Sequence, residues 1–75
     1  MSLEFQSLDW SQVEEIAKML HYQDPGVDPF SVSLGDLYER VVRLPRFVGR
    51  KEQATQQVLE DIQDAWYNLT QAEEP

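Results

Sequence analysis

The chain has 75 residues, no cysteine and a formal net charge of −8 at pH 7. This length fits a single domain over residues 1–75, and the lack of cysteine excludes disulfides and thiolate metal sites. The acidic charge repels nucleic acid and anionic membranes, and it attracts basic partners or cations. Because no apolar run approaches the ~20 residues of a membrane span and no leader pattern precedes the first element, we expect a cytoplasmic domain, frayed at residues 1–5 and 70–75.

The first predicted helix covers residues 11–22. Ser11 followed by Glu14 matches a capping box, and apolar residues at helical spacing come after it. Glu14 and Lys18 stand four residues apart, in the order that favours an ion pair. Trp10 precedes the predicted cap, so we expect it to pack back against this helix.

A short strand is predicted near residues 31–34. Phe30, Val32 and Leu34 alternate with two serines, which is the period of a half-buried strand. Such a strand needs a partner, and residues 6–9 are the nearest candidate. The two segments would then form a small two-stranded ribbon.

The second predicted helix covers residues 36–44, with Ser33 or Gly35 as its cap and Pro45 at its end. Its outer face carries two pairs of oppositely charged residues, and the members of each pair are four positions apart. These predicted ion pairs are Asp36 with Arg40 and Glu39 with Arg43. A basic connection follows, and together the bases of this part of the chain are Arg40, Arg43, Arg46, Arg50 and Lys51.

The third predicted helix covers residues 53–69 and divides into an apolar arc and an acidic arc. Glu60, Asp61 and Asp64 lie opposite the apolar residues on a helical wheel. Three helices with one strand element predict a mainly α, compact, winged-helix-like domain. A three-helix bundle is the alternative.

Catalysis and nucleic-acid binding both fit this sequence poorly. The single histidine, His21, falls near the predicted end of a helix, where the helix dipole alone accounts for it. A catalytic triad also needs a nucleophile and an orienting group beside such a base. In a DNA-binding winged helix the third helix usually enters the major groove, but here its outer residues are acidic. We therefore expect neither an enzyme nor a DNA-binding protein.

Surface carboxylates suit a metal or a protein partner. Glu60 and Asp64 stand four residues apart and could share a hard cation or iron in a weak, exposed site. An acidic face can also steer the molecule onto a basic groove of another protein, although such a face often serves solubility alone. The face that we expect to bind a partner consists of Glu14, Glu15, Glu60, Asp61 and Asp64.

Five landmarks follow one another over about residues 8–68: LDW, S-x-x-EEIA-x-x-L, DPGVDPFSVSLGDL, V-x-x-L-x-x-F and VLEDIQDAW. Their order and spacing resemble the IscX family, small acidic proteins of bacterial iron–sulfur cluster assembly. This resemblance implies a winged-helix-like fold and a non-enzymatic adaptor that binds and regulates the cysteine desulfurase of the assembly system. It also implies weak iron binding by surface carboxylates without a tightly bound cofactor.

The residues that match the family at such carboxylate positions are Glu15, Asp36 and Glu60, and Asp64 joins them through its spacing from Glu60. Members of the family commonly carry an acidic run after the position of Phe47, where this chain has VGRK instead. An iron carrier or sensor is therefore the second hypothesis, behind the desulfurase-binding adaptor. A DNA-binding winged helix ranks last.

Overall fold

Three α-helices form the framework of the computed structural model, which describes residues 7–72 without the side chain of residue 72. The helices are α1 (Val13–Gln23), α2 (Leu34–Val42) and α3 (Gln56–Ala72), with 3₁₀ turns at Pro29–Ser31 and Lys51–Gln53. Each helix begins and ends within three residues of its predicted bounds. The prediction of three helices in this order is confirmed.

The core is built from the apolar stripes that the helical spacing predicts. Helix α3 packs mainly along α1, and α2 closes the remaining side. Each large apolar side chain buried in this way stabilises the fold by roughly 1.5–3 kcal/mol. The buried residues of the three helices are Ile16, Ala17, Leu20, Leu37, Val41, Leu59, Ile62 and Trp66.

Helix α1 begins two residues later than predicted because a tight turn precedes it. The Asp9 carboxylate accepts hydrogen bonds from the backbone N–H of Ser11, at 2.9 Å, and from its hydroxyl. The Gln12 side chain accepts from the Asp9 N–H at 3.1 Å, and Gln12 is the N-cap of α1. The predicted Ser11–Glu14 capping box is therefore wrong, since the Ser11 hydroxyl bonds to Asp9 instead.

The strand predicted near residues 31–34 is also wrong. The Asp28 carboxylate caps the 3₁₀ turn by accepting from the Phe30 N–H, and Leu34 already belongs to α2. The carbonyls of Pro29 and Val32 accept from the Gln63 side chain at 3.0 and 3.4 Å. These bonds satisfy backbone groups that a strand would have paired with a neighbour. The alternating apolar residues do not share one buried face, because Val32 is buried while Phe30 is exposed.

The winged-helix prediction is not supported, and the three-helix alternative describes the fold. Within residues 7–72 the β-pairing is one isolated parallel bridge between Leu8 and Phe47. The Leu8 N–H donates to the Arg46 carbonyl at 2.9 Å, and the Val48 N–H donates to the Leu8 carbonyl at 2.8 Å. Leu8, from the segment predicted to pair with residues 31–34, thus pairs with the basic connection instead. A single bridge holds the segment before α1 against the basic connection but does not form a wing.

An inner aromatic cluster, formed by Trp10, Tyr38 and Phe47, lies above this bridge. Trp10 is 2% exposed, stacks on Tyr38 at 5.8 Å between ring centroids and meets Phe47 edge-on at 4.8 Å. A Cβ at Gly49 would lie 2.6 Å from Trp10 Cδ1 and 2.6 Å from Phe47 Cζ. Glycine is required there because the backbone passes directly against the two rings. Trp10 is therefore buried rather than exposed, with its ring contacts to Tyr38 of α2 and to Phe47, and its expected packing against α1 stays a prediction.

The predicted frayed ends fall mostly outside the described residues. This applies to residues 1–5 and 73–75, whereas residues 70–72 belong to α3. None of the helices within residues 7–72 combines the length and the apolar composition that crossing a membrane requires.

Candidate functional site

A groove of about 470 Å³ runs between α1 and α3. Its acidic side chains are Glu14 from α1 and Asp61 and Asp64 from α3, and all three are exposed. We call this feature the acidic groove. Its apolar lining consists of Val13, Ala17, Ala65 and Leu69.

Helical spacing explains why the acids line this groove. Asp61 and Asp64 are three residues apart, so they lie one above the other on the same side of α3. Glu14 follows Val13 at the start of α1, beside the stripe that packs on α3. The groove therefore combines a negative rim with apolar side chains, which is the surface that a basic, partly apolar segment complements.

The three groove carboxylates make no ion pair within residues 7–72. Asp61 accepts a hydrogen bond from Gln57 Nε2 at 3.0 Å along its own helix. Lys18 also lines the groove, but its ammonium lies 3.7 Å from Glu15 Oε2 rather than pairing with Glu14 as predicted. The negative charges of the groove thus remain open to solvent and to a partner.

Two residues of the predicted acidic face lie elsewhere. Glu15 lines a separate hollow of about 590 Å³ on the other side of α1, together with Gln12 and Arg46. Glu60 is half-buried and accepts from Gln56 Nε2 at 2.9 Å. It stands one turn before Gln63, whose side chain reaches the 3₁₀ turn Pro29–Ser31. The structure thus brings together three of the five predicted residues.

The four carboxylates predicted to bind iron are not gathered into one site. Glu15 is on α1, and Asp36 is in the first turn of α2, where its carboxylate lies 3.9 Å from Arg40 Nε. Glu60 and Asp64 keep their spacing of four residues on α3. Among the described residues, no group of three or more His, Cys, Asp or Glu side chains could hold a metal ion. Weak iron binding stays a prediction.

The basic segment is partly neutralised by ion pairs. Arg40 Nη1 lies 2.9 Å from Asp24 Oδ2, which ties α2 to the end of α1. Arg43 Nη2 lies 3.7 Å from Glu39 Oε1, as predicted. Exposed surface pairs of this kind contribute about 1 kcal/mol or less. Arg40 and Arg43 are thus partly neutralised, as the sequence predicted, and Asp24 is an additional partner of Arg40.

An exposed aromatic pair, Phe30 and Tyr67, was missed by the sequence analysis. Phe30 is 51% and Tyr67 is 37% exposed, and their ring centroids lie 4.9 Å apart. One signal was available, because Tyr67 directly follows Trp66. Successive helical residues point about 100° apart, so when Trp66 enters the core Tyr67 lies towards its edge.

Known proteins resemble this chain over most of its length. A family model described as iron–sulphur cluster assembly matches residues 8–71. An uncharacterized protein of Pseudomonas aeruginosa is 45% identical over 60 residues, which cover 80% of this chain and 91% of that protein. No solved structure matches the chain significantly.

Proposed function

The chain belongs to the iron–sulphur cluster assembly family, of the IscX type, and on that premise we propose that it is a cytoplasmic, non-enzymatic adaptor that binds and regulates a cysteine desulfurase. The observation that carries the proposal is the acidic groove between α1 and α3. Its three carboxylates are exposed and make no ion pair among the described residues 7–72. A basic surface of the desulfurase would supply the missing charge.

Long-range attraction supports this mode of binding. The net charge of −8 makes the whole molecule a negative body, which raises the rate of encounter with a positive surface. The apolar residues of the groove add contact area that charge alone does not provide. At 0.1 M salt, attraction between exposed charges that lie more than about 10 Å apart is largely screened. Binding should therefore weaken steeply as salt is added.

The same charges argue against nucleic acid and anionic membranes as partners. The outer surface of α3 carries Asp61 and Asp64 and no lysine or arginine, so it would repel phosphates. The winged-helix fold was the main reason to consider DNA, and the described residues do not support that fold. A basic protein is the partner that fits.

A calorimetric titration against the cysteine desulfurase tests the proposal. The variant Asp61→Asn/Asp64→Asn removes two charges from the groove, and its matched control Glu15→Gln/Glu52→Gln removes two charges outside it. We expect the groove variant to bind roughly tenfold more weakly and the control to bind nearly as the original chain does. Equal weakening of both variants would show that only net charge matters. Absence of binding at low salt would show that the proposal is wrong.

Weak iron binding is a second and smaller proposal, supported by the spacing of Glu60 and Asp64 on α3. Two carboxylates on adjacent turns can share a cation, which relieves the repulsion between them. Anaerobic titration with ferrous iron, followed by NMR line broadening, should broaden backbone signals near residues 60–64 first. The variant Glu60→Gln should reduce this broadening. Unchanged spectra at millimolar iron would remove the iron carrier hypothesis and leave the adaptor proposal intact.

A further inference from the structure

The turn that carries Phe30 is anchored at several points although it exposes the ring. The Asp28 carboxylate accepts from the Phe30 N–H at 3.0 Å, and the Ser31 hydroxyl donates to the Asp28 carbonyl at 2.8 Å. Gln63 Nε2 donates to the carbonyl of Pro29 at 3.0 Å, and Pro29 itself is buried. A ring held in place before binding loses little freedom when a partner contacts it.

The second ring of the exposed aromatic pair extends this surface. Tyr67 contacts Phe30 at 4.9 Å between centroids, with the rings tilted by 51°. Tyr67 also lines a surface hollow of about 540 Å³, together with Val27, Asp28 and Pro29. Because both rings are partly exposed, they contribute less to the stability of the fold than fully buried rings would. Apolar surface of this kind often marks a binding site.

The charges around the exposed aromatic pair are negative. Asp64 and Glu60 come three and seven residues before Tyr67, so both share its side of α3. Asp28 comes two residues before Phe30. Neither α3 nor the 3₁₀ turn Pro29–Ser31 contains a lysine or an arginine. Ring faces attract cations, and the surrounding carboxylates strengthen that attraction.

We infer that the exposed aromatic pair binds an arginine side chain, presented by a basic segment of the protein partner. A guanidinium group is planar and weakly hydrated, so it can stack on a ring while its N–H groups donate to carboxylates such as Asp64. The ammonium of lysine is compact and strongly hydrated, and it stacks less well. The pair thus distinguishes arginine from lysine, which charge alone does not.

This inference rests on the proposed function, because it concerns the same partner and a surface continuous with the acidic groove. Asp64 lines that groove and lies one helical turn from Tyr67. A basic segment that enters the groove can therefore place an arginine on the two rings. A second copy of this chain fits less well as the occupant, since two bodies with a charge of −8 repel each other.

The first experiment titrates the full chain with oligo-arginine and oligo-lysine peptides of equal length, following the aromatic NMR signals. Oligo-arginine should shift the ring signals of Phe30 and Tyr67 more than oligo-lysine does. The variant Phe30→Ala/Tyr67→Ala should bind oligo-arginine roughly three- to tenfold more weakly and lose the preference for it. Phe30→Leu keeps an apolar side chain without a ring face, so it should lose most of the same preference.

The matched control is Tyr22→Ala/Val48→Ala, which removes two other large hydrophobic side chains that are exposed. Its preference for oligo-arginine should equal that of the original chain, and circular dichroism melts should show that both double variants are folded. An unchanged preference in Phe30→Ala/Tyr67→Ala would overturn the inference. Sedimentation that detects a dimer of the original chain, lost in that variant, would also overturn it by assigning the rings to self-association.

The second experiment separates this inference from the proposed function by titrating the desulfurase. If Phe30→Ala/Tyr67→Ala binds the desulfurase normally while Asp61→Asn/Asp64→Asn does not, the inference fails and the adaptor proposal stands. If the original chain does not bind the desulfurase but prefers oligo-arginine through its rings, the adaptor proposal fails and the arginine site stands. Weaker binding in both variants supports both conclusions.

Discussion

The inner aromatic cluster and the exposed aromatic pair have similar ring contacts but opposite environments. Trp10 and Phe47 lie 4.8 Å apart between centroids, and Phe30 and Tyr67 lie 4.9 Å apart. Trp10 is 2% exposed, however, whereas Phe30 is 51% exposed. The contact between two rings therefore does not reveal what they do. The difference in solvent exposure assigns the inner cluster to stability, and it is one basis of the proposal that the exposed pair binds a partner.

The two clusters are also held in place in different ways. The inner cluster depends on close packing, since the backbone at Gly49 touches the rings of Trp10 and Phe47. The exposed pair depends on hydrogen bonds to the backbone around it, above all those of Gln63. Substitutions should therefore destabilise the two clusters through different mechanisms and by different amounts.

Removing the central ring of the inner cluster should have the largest effect. Trp10→Ala should lower the free energy of unfolding by about 3–5 kcal/mol, because a large buried side chain leaves a cavity. Urea denaturation followed by circular dichroism measures this loss. Tyr22→Ala, at an exposed position, is the control and should change little. Comparable losses in the two variants would contradict the structural role of the inner cluster.

Adding one methyl group beside the same rings should have the next largest effect. Gly49→Ala should lower the free energy of unfolding by about 1–3 kcal/mol through overpacking. Gly35→Ala makes the same chemical change in α2, where a Cβ meets no atom within 4 Å. That control should stabilise the protein by about 0.4–1 kcal/mol. We expect the melting temperature to fall in Gly49→Ala and to rise in Gly35→Ala. A rise in both variants would mean that the rings of Trp10 and Phe47 move to accommodate the added methyl group.

Removing the anchor of the exposed pair should have a smaller effect on stability. Gln63→Ala should lower the free energy of unfolding by about 0.5–1.5 kcal/mol, because its amide donates to the carbonyls of Pro29 and Val32. Gln57→Ala is the matched control, since that amide donates only to the exposed Asp61. Amide hydrogen exchange around residues 29–32 should quicken in Gln63→Ala alone. Equal exchange in both variants would show that Gln63 does not hold the turn.

Removing an exposed ring should have the smallest effect. Phe30→Ala should change the free energy of unfolding by about 0.5 kcal/mol or less, since Phe30 is 51% exposed and lies outside the buried core. Urea denaturation beside the original chain measures the change. A loss as large as that of Trp10→Ala would erase the distinction between the two clusters.

Much of the helical framework could be predicted because its signals are local. The cap at Ser33 is confirmed by the Asp36 N–H, which donates to the Ser33 hydroxyl at 3.1 Å. The ion pair of Glu39 with Arg43 formed because residues four apart meet on any helix. The errors arose where two local solutions competed. The Ser11 hydroxyl donates to the Asp9 carboxylate, so it does not form the predicted capping box. The Asp28 carboxylate caps a 3₁₀ turn in the segment where apolar alternation had predicted a strand.

The candidate site could be predicted only in part. The sequence indicated that Glu14, Asp61 and Asp64 face solvent, and they do. It could not separate them from Glu15 and Glu60, because the rotation of each helix about its axis depends on how α1 and α3 pack. It also placed Phe30 in a half-buried strand, since the bond that anchors its turn comes from a residue 34 positions away from Pro29.

By itself, then, the sequence determined three amphipathic helices, a buried Trp10 and an acidic surface. Helical periodicity, capping and ion pairing depend on residues a few positions apart, so they can be predicted from the sequence. Tertiary structure alone decided which acids share a groove and which rings meet water. Both outcomes depend on contacts between distant segments, and α3 makes those contacts with α1 on one side and with the 3₁₀ turn on the other.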